Sequence, residues 1–258
     1  MARGPAVTWR LVIDTATRRT VVAVGRGRTL VAVDVLDAPD RHGAQLMSRL
    51  TAVLTAAGIG MSDITAIGVG TGPGSFTGLR VGLATAKTLA AVRHLPLVGL
   101  PTDELLREAA SGTLGVAESA DAAVLLPAGA RDHYLGLAGS DPSLVPPGTD
   151  IAALIGDRPV LAVDIPSDAA WLVPLRERAA GRGDPDPLDA GRAACEGLPA
   201  ALLASLDARL ARGDVADVAT LVPRYVGLPR GISVATATAA DSIDPSGAGE
   251  GTWSPGFH

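Results

Sequence analysis

One cysteine stands in a chain of 258 residues, Cys195, and with it goes any disulfide framework. A lone thiol suits a reducing cytosol. Its neighbours Arg192, Glu196 and Pro199 include no evident base, so Cys195 reads as inert rather than nucleophilic. Lysine is equally scarce: Lys87 is the single one, and arginine supplies the rest of the positive charge, a bias we read as genomic base composition. The formal net charge of −5 leaves no global positive field to draw in nucleic acid, so any contact with RNA is local or supplied by a partner. Hydrophobic residues reach 47%, yet no apolar run approaches the length that spans a bilayer. The opening residues MARGPAVTWR carry no apolar core of a secretory signal. The expectation is a cytoplasmic protein with no membrane contact. Two phosphate motifs are also missing. No Gly-Lys-Ser/Thr ending marks a P-loop, and no third glycine completes a dinucleotide fingerprint.

What the chain does have is Gly70-Thr71-Gly72-Pro73-Gly74-Ser75-Phe76-Thr77-Gly78-Leu79-Arg80. The run follows Ile67-Gly68-Val69, a buried-strand pattern. It leads into a helical spacing of small and apolar residues at Leu79, Leu83, Ala86 and Ala90. Strand, glycine loop and helix start in that order form a backbone anion site, with first-turn N–H groups aimed into the loop. Ser75 and Thr77 are both suited to cap the helix. Phe76, one of two phenylalanines, either plugs back into the core or meets a partner. Arg80 suits a helix-end ion pair or a phosphate or partner contact. Lys87, two turns further on, reads as a solvated or partner-facing charge.

Around this loop the first half reads βββαβαβα. Leu11–Ile13, Thr20–Val24 and Leu30–Val33 make a meander, and Gln45–Ala57 is an amphipathic helix closed by Gly58. Ile64–Val69, the loop helix, Pro96–Val98 and Asp103–Ala110 follow. The second half repeats this grammar weakly. Ala122–Leu126 and Tyr134–Ala138 form a hairpin, Val160–Val163 a strand, and Asp168–Ala180 and Ala200–Leu210 helices, with a soft linker at Gly181–Pro187. The division expected is an N-terminal subdomain over 1–112, a degenerate second subdomain over 113–230 whose last helices can pack back on the first, and a tail. The tail, from Gly231 to His258, is too poor in apolar residues to order itself.

Asp14-Thr15, with Thr17 and Thr20 nearby, ends the first strand. Asp14 suits an Asx turn or a place beside a metal-bound water and a phosphate. Two such loops facing one cleft form the phosphate clamp of the actin, sugar kinase and Hsp70 superfamily. The fold class expected is therefore α/β and duplicated, ribonuclease H-like, with two subdomains built on mixed sheets. Val12-Ile13-Asp14-Thr15-Ala16-Thr17 and the whole Gly70–Arg80 loop, continued through Lys87, resemble the TsaB family, bacterial proteins of tRNA threonylcarbamoyladenosine biosynthesis. The resemblance is close over Leu11 to Leu106 and weak beyond.

That resemblance implies a non-catalytic accessory subunit. Its partners would be a TsaD-like catalytic subunit and a TsaE-like ATPase, with tRNA reached through the complex and a homodimer plausible in isolation. It implies no firmly bound cofactor, with ATP or ADP and Mg at a shared interface. The catalytic paralogue holds a metal through His-x-x-x-His, whereas His42, His94, His133 and His258 offer no such pair. No catalytic or metal residue is therefore assigned. The nucleotide or partner candidates are Asp14, Thr15, Gly70, Gly72, Gly74, Ser75, Phe76, Thr77, Gly78 and Arg80. Two departures stand out: Gly129-Ala130-Arg131 replaces the family's Asp-Ala-Arg, and Gly43 follows His42 where serine is usual. Pro223-Arg224-Tyr225-Val226 resembles the family's closing segment and reads as packing. The alternative is a stand-alone ATPase or kinase of the superfamily. A metalloprotease fails on the missing histidine pair.

Overall fold

The computed structural model describes residues 8–37, 42–129 and 131–226. The chain divides into units 1–227 and 228–258, and every described residue lies in the first. The expected disordered tail, Gly231–His258, falls outside the described residues.

The first sheet is built by β1 (Trp9–Asp14), β2 (Arg19–Arg26), β3 (Thr29–Asp37), β4 (Ile64–Gly72) and β5 (Leu97–Pro101). Its order is β3-β2-β1-β4-β5. β1 to β3 pair antiparallel as a meander, and β4 and β5 add in parallel beside β1. Strand alternation then sorts side chains to opposite faces. Leu11, Ile13, Val22 and Val24 pack under α1 (His42–Ala56) and α2 (Phe76–Arg93). Val12, Val21 and Ala23 face the other way, onto α3 (Thr102–Ala109) and α8 (Pro187–Ala211).

Two short helices, α4 (Ser111–Leu114) and α5 (Val116–Asp121), lead to the second sheet. It comprises β6 (Ala123–Pro127), β7 (His133–Gly136), β8 (Ser143–Val145) and β9 (Val160–Ala162), in the order β8-β7-β6-β9. Antiparallel pairing of β6 with β7 and β7 with β8, and parallel pairing of β6 with β9, repeat the first sheet's pattern without its last strand. One face packs with α3 and α8. The other is covered by α6 (Ile151–Ile155) and α7 (Val173–Arg182). The result is five layers, with α3 and α8 shared between two mixed sheets.

Two expected helices move. The one read at Asp168–Ala180 starts at Val173, after a 3-10 turn at Ala170–Leu172, because Pro174 favours a helix's first turn. The one read at Ala200–Leu210 begins at Pro187, capped by Asp186, whose side chain accepts from the Leu188 N–H. α8 runs through Pro199, and Gly191 lets it press on β9, where a Cβ would lie 2.3 Å from the Ala162 carbonyl oxygen. Gly191, Gly197 and Pro199 lower helix propensity in the first half of this helix, which the sequence reading left out.

Candidate functional site

The β1–β2 loop and the glycine loop meet at the ends of adjacent parallel strands, as the register of β1 on β4 requires. They do so by direct contact. The Ser75 N–H donates to the Ala16 carbonyl (2.7 Å) and the Thr15 hydroxyl to the Gly78 carbonyl (2.7 Å). The Ser75 side chain caps α2 by accepting from the Gly78 N–H at 3.1 Å. Thr77, the other capping candidate, is exposed.

The glycines are small because protein lies against them. A Cβ at Gly70 would sit 1.9 Å from Asp14 Oδ2. At Gly74 and Gly78 it would be 2.1 Å from the carbonyl oxygens of Ala16 and Thr15 respectively. At Gly72, with φ +91°, it would meet a Leu79 methyl at 2.8 Å. Where these loops touch, a phosphate has no room.

Asp14 is fully buried. It accepts from the Ala16 N–H (2.9 Å) and the Thr102 hydroxyl (2.8 Å), and Thr102 in turn accepts from the Gly72 N–H (3.2 Å). Burial pushes the carboxyl up to about 6, against the pull of the Ala16 and Thr102 hydrogen bonds. The residue that completes this triangle, Thr102, was invisible in the sequence because it stands 88 positions from its partner.

A second grip comes from the other sheet. The Arg18 N–H donates to Asp164 Oδ2 at 2.6 Å, and Asp164 holds a φ of 58°, uncommon for a residue with a Cβ. Burial raises the Asp164 carboxyl above the usual carboxylate range. Cys195, behind it, is buried and pushed up to about 12, chiefly by desolvation and next by the Asp164 charge, as expected of an inert thiol. The β1–β2 loop is thus held by α2 on one side and the end of β9 on the other.

Phe76 is neither a full plug nor a free ring. It lies half-buried against Tyr225, with ring centroids 5.0 Å apart, and the exposed Arg80 guanidinium stands 5.4 Å above it. Tyr225 belongs to the segment from Val215 to Val226, which straps the β5 edge and α2. Its Ala216 N–H donates to the Leu97 carbonyl (2.8 Å) and its Arg224 N–H to the Thr71 carbonyl (2.8 Å). The Arg224 side chain pairs with Asp103, itself paired with Arg107 in the interior. Lys87 corrects its sequence reading: rather than standing in solvent, its ammonium donates to the Ala219 (3.2 Å) and Leu221 (3.0 Å) carbonyls of the strap.

Gly129 takes a φ of 112°, which an aspartate would adopt only with strain. His42 opens α1, and its side chain is outside the described residues. Among the described residues no group of three His, Cys, Asp or Glu is placed to hold a metal ion. No described helix is long and apolar enough to cross a membrane.

Two mixed sheets of one strand order, with helices between and outside, and two loops meeting at the ends of β1 and β4, define an actin/sugar kinase-like ATPase fold. YeaZ from Pseudomonas aeruginosa has this fold: a TM-score of 0.57 covers 84% of this chain and 100% of that one, at 24% identity. The pattern of the family described as "TsaD: tRNA N6-adenosine threonylcarbamoyltransferase" matches residues 36–145. The Escherichia coli protein named tRNA threonylcarbamoyladenosine biosynthesis protein TsaB is 39% identical over 92 residues, 36% of this chain and 39% of that protein. The Bacillus subtilis protein of the same name is 32% identical over 96 residues, 37% of this chain and 42% of that protein. An uncharacterized protein of Mycobacterium tuberculosis is 31% identical over 155 residues, 59% of this chain and 70% of that protein. The chain is similar to TsaB proteins over its glycine-loop half, and spans about two fifths of the length of the named TsaB relatives it matches.

Proposed function

We propose that this chain serves tRNA N6-threonylcarbamoyladenosine synthesis as a non-catalytic subunit docked on a TsaD-like catalytic partner. The observation that carries this reading is the closed contact between the two loops. Here Ser75 and Thr15 join them, and Asp14 is held by Thr102. The four histidines stand at no His-x-x-x-His spacing, which supports the same reading.

The outer faces of α1 and α2 supply the dock. α1 exposes Ser48, Thr51, Ala52 and Thr55, and α2 exposes Ala84, Thr88 and Ala91. Ser48, Thr51 and Thr55 donate their hydroxyls back to carbonyls of their own helix, at 2.8, 3.0 and 2.9 Å, leaving a smooth face with little unmet polarity. Small residues let helices approach closely, and a second copy could occupy the face when the partner is absent. A TsaE-like ATPase completes the assembly, tRNA is reached through the complex, and ATP or ADP with Mg belongs at a subunit interface rather than between this chain's loops.

Co-purification with the TsaD-like protein of the same organism, read by size exclusion with light scattering, tests the reading. A stable mixed complex is expected. Thr51→Arg or Ala84→Arg should weaken it at least tenfold, with the melting temperature of the isolated chain unchanged. No complex, together with ATP hydrolysis by the chain alone, would replace this reading with the stand-alone ATPase.

A further inference from the structure

Away from both the loops and the helical dock, the second half carries a small open groove between α7, the α6–β9 connection and the α7–α8 linker. Its floor is apolar, from Leu175, Pro159 and Pro187. Three arginines line it, Arg158, Arg178 and Arg182, against a single lining carboxylate, Asp184. In a chain of net charge −5 this is a local reversal of sign.

The guanidinium groups are anchored without being used up. Arg158 donates to Asp121 (3.2 Å) and to the Ile155 carbonyl (3.1 Å). Among the described residues, Arg178 donates to the Ala152 carbonyl alone (3.2 Å). Arg182 pairs with Asp184 (3.0 Å) and donates to the Asp157 carbonyl. Each guanidinium carries five N–H donors, so most of the donors around the groove have no acceptor among the described residues. Capping the end of α6 and its exit accounts for the anchoring bonds. It does not account for three guanidinium groups around one opening. Anchored arginines over an apolar floor are preordered for tetrahedral oxyanions, which the planar guanidinium can grip with two parallel bonds. The lining offers no aromatic ring on which a base could stack.

We infer that this groove is a phosphate-binding site. The phosphate comes either from an RNA backbone or from a free phosphate compound, and assigning it to tRNA rests on the function proposed above. Arg178, with one anchoring bond, is the group freest to turn to a ligand.

The test compares the full-length chain with Arg178→Gln, Arg178→Lys and the double variant Arg178→Gln/Arg182→Gln, each checked for an unchanged circular dichroism spectrum. Inorganic pyrophosphate is titrated by calorimetry, and an unmodified tRNA transcript by filter binding at several salt concentrations. Arg178→Gln should weaken whichever ligand binds by on the order of tenfold, with Arg178→Lys in between. For tRNA it should also lower the slope of log affinity against log salt by about one. An effect on tRNA assigns the site to RNA, and an effect on pyrophosphate alone assigns it to a free phosphate compound. Equal binding of both probes by wild type and the double variant, or binding of neither, would overturn the inference and leave the arginines as caps. Assembly of these variants with the TsaD-like partner, read by light scattering, separates a failed groove from a failed function.

Discussion

Asp14 and Gly78 show how much a residue's meaning depends on what faces it. A buried carboxyl pushed up from 3.8 to about 6 is protonated more readily in the folded chain than in the unfolded one. Its contribution to stability is therefore fully present below about pH 4 and is lost as pH rises through about 6, by about 3 kcal/mol at most. Asp14→Asn can keep both hydrogen bonds, accepting from Ala16 and donating to Thr102. It should remove this loss, so that its stability relative to wild type rises between pH 5 and 7.5 in urea melts. Asp14→Ala leaves the Ala16 N–H without its acceptor and should be destabilised throughout. Gly78→Ala would ordinarily favour a helix by up to about 1 kcal/mol. With the Thr15 carbonyl oxygen 2.1 Å from the new Cβ, it should instead lose about 1–3 kcal/mol by the same melts. Gly112→Ala, with nothing within 4 Å, is the control expected to be neutral or stabilising. The sequence placed Asp14 and the glycine loop, because both interrupt strong apolar runs. It could not tell that the loop embraces protein, since a glycine that admits a phosphate and one that admits a carbonyl look alike.

At the scale of elements, the strap from Val215 to Val226 has no regular structure, yet it is fixed by named bonds. The single lysine holds two of its carbonyls. Lys87→Met should let the Ala216 and Arg224 amides exchange at least tenfold faster, while α8 amides stay protected, in hydrogen-exchange mass spectrometry. Equal protection in the variant would mean that Arg224 and the Phe76–Tyr225 contact hold the strap without it. Such a segment gives no period to read, and Lys87 seen alone carried only the prior for an exposed cation. The strands of the first sheet were legible because alternation and turn residues agree there. The first turns of α8 were not, because Gly191 and Pro199 lower helix propensity at places where packing on β9 and α3 overrides it.

Across the whole molecule, α8 joins the two halves. Leu202, Leu203 and Leu206 are fully buried in a cluster that also holds Val12 and Ala23 of the first sheet and Val124 and Leu161 of the second. A shared core of this kind predicts one cooperative transition. In a Trp253→Phe background, fluorescence melts reporting Trp9 or Trp171 alone should coincide, and Leu203→Ala should shift both together by about 2–5 kcal/mol. Separate transitions would mean that the second half unfolds by itself. The shared helix also sets a schedule for synthesis. The ribosome completes β5 at Pro101 and α3 at Ala109, but α8, which shares the cover of that sheet's inner face, starts only at Pro187. At roughly 5–20 residues per second, Val12, Val21 and Ala23 wait on the order of several seconds for the rest of their cover. A nascent chain that stalls before α8 emerges therefore presents this apolar face with α3 as its only cover, the form of this protein most in need of a chaperone.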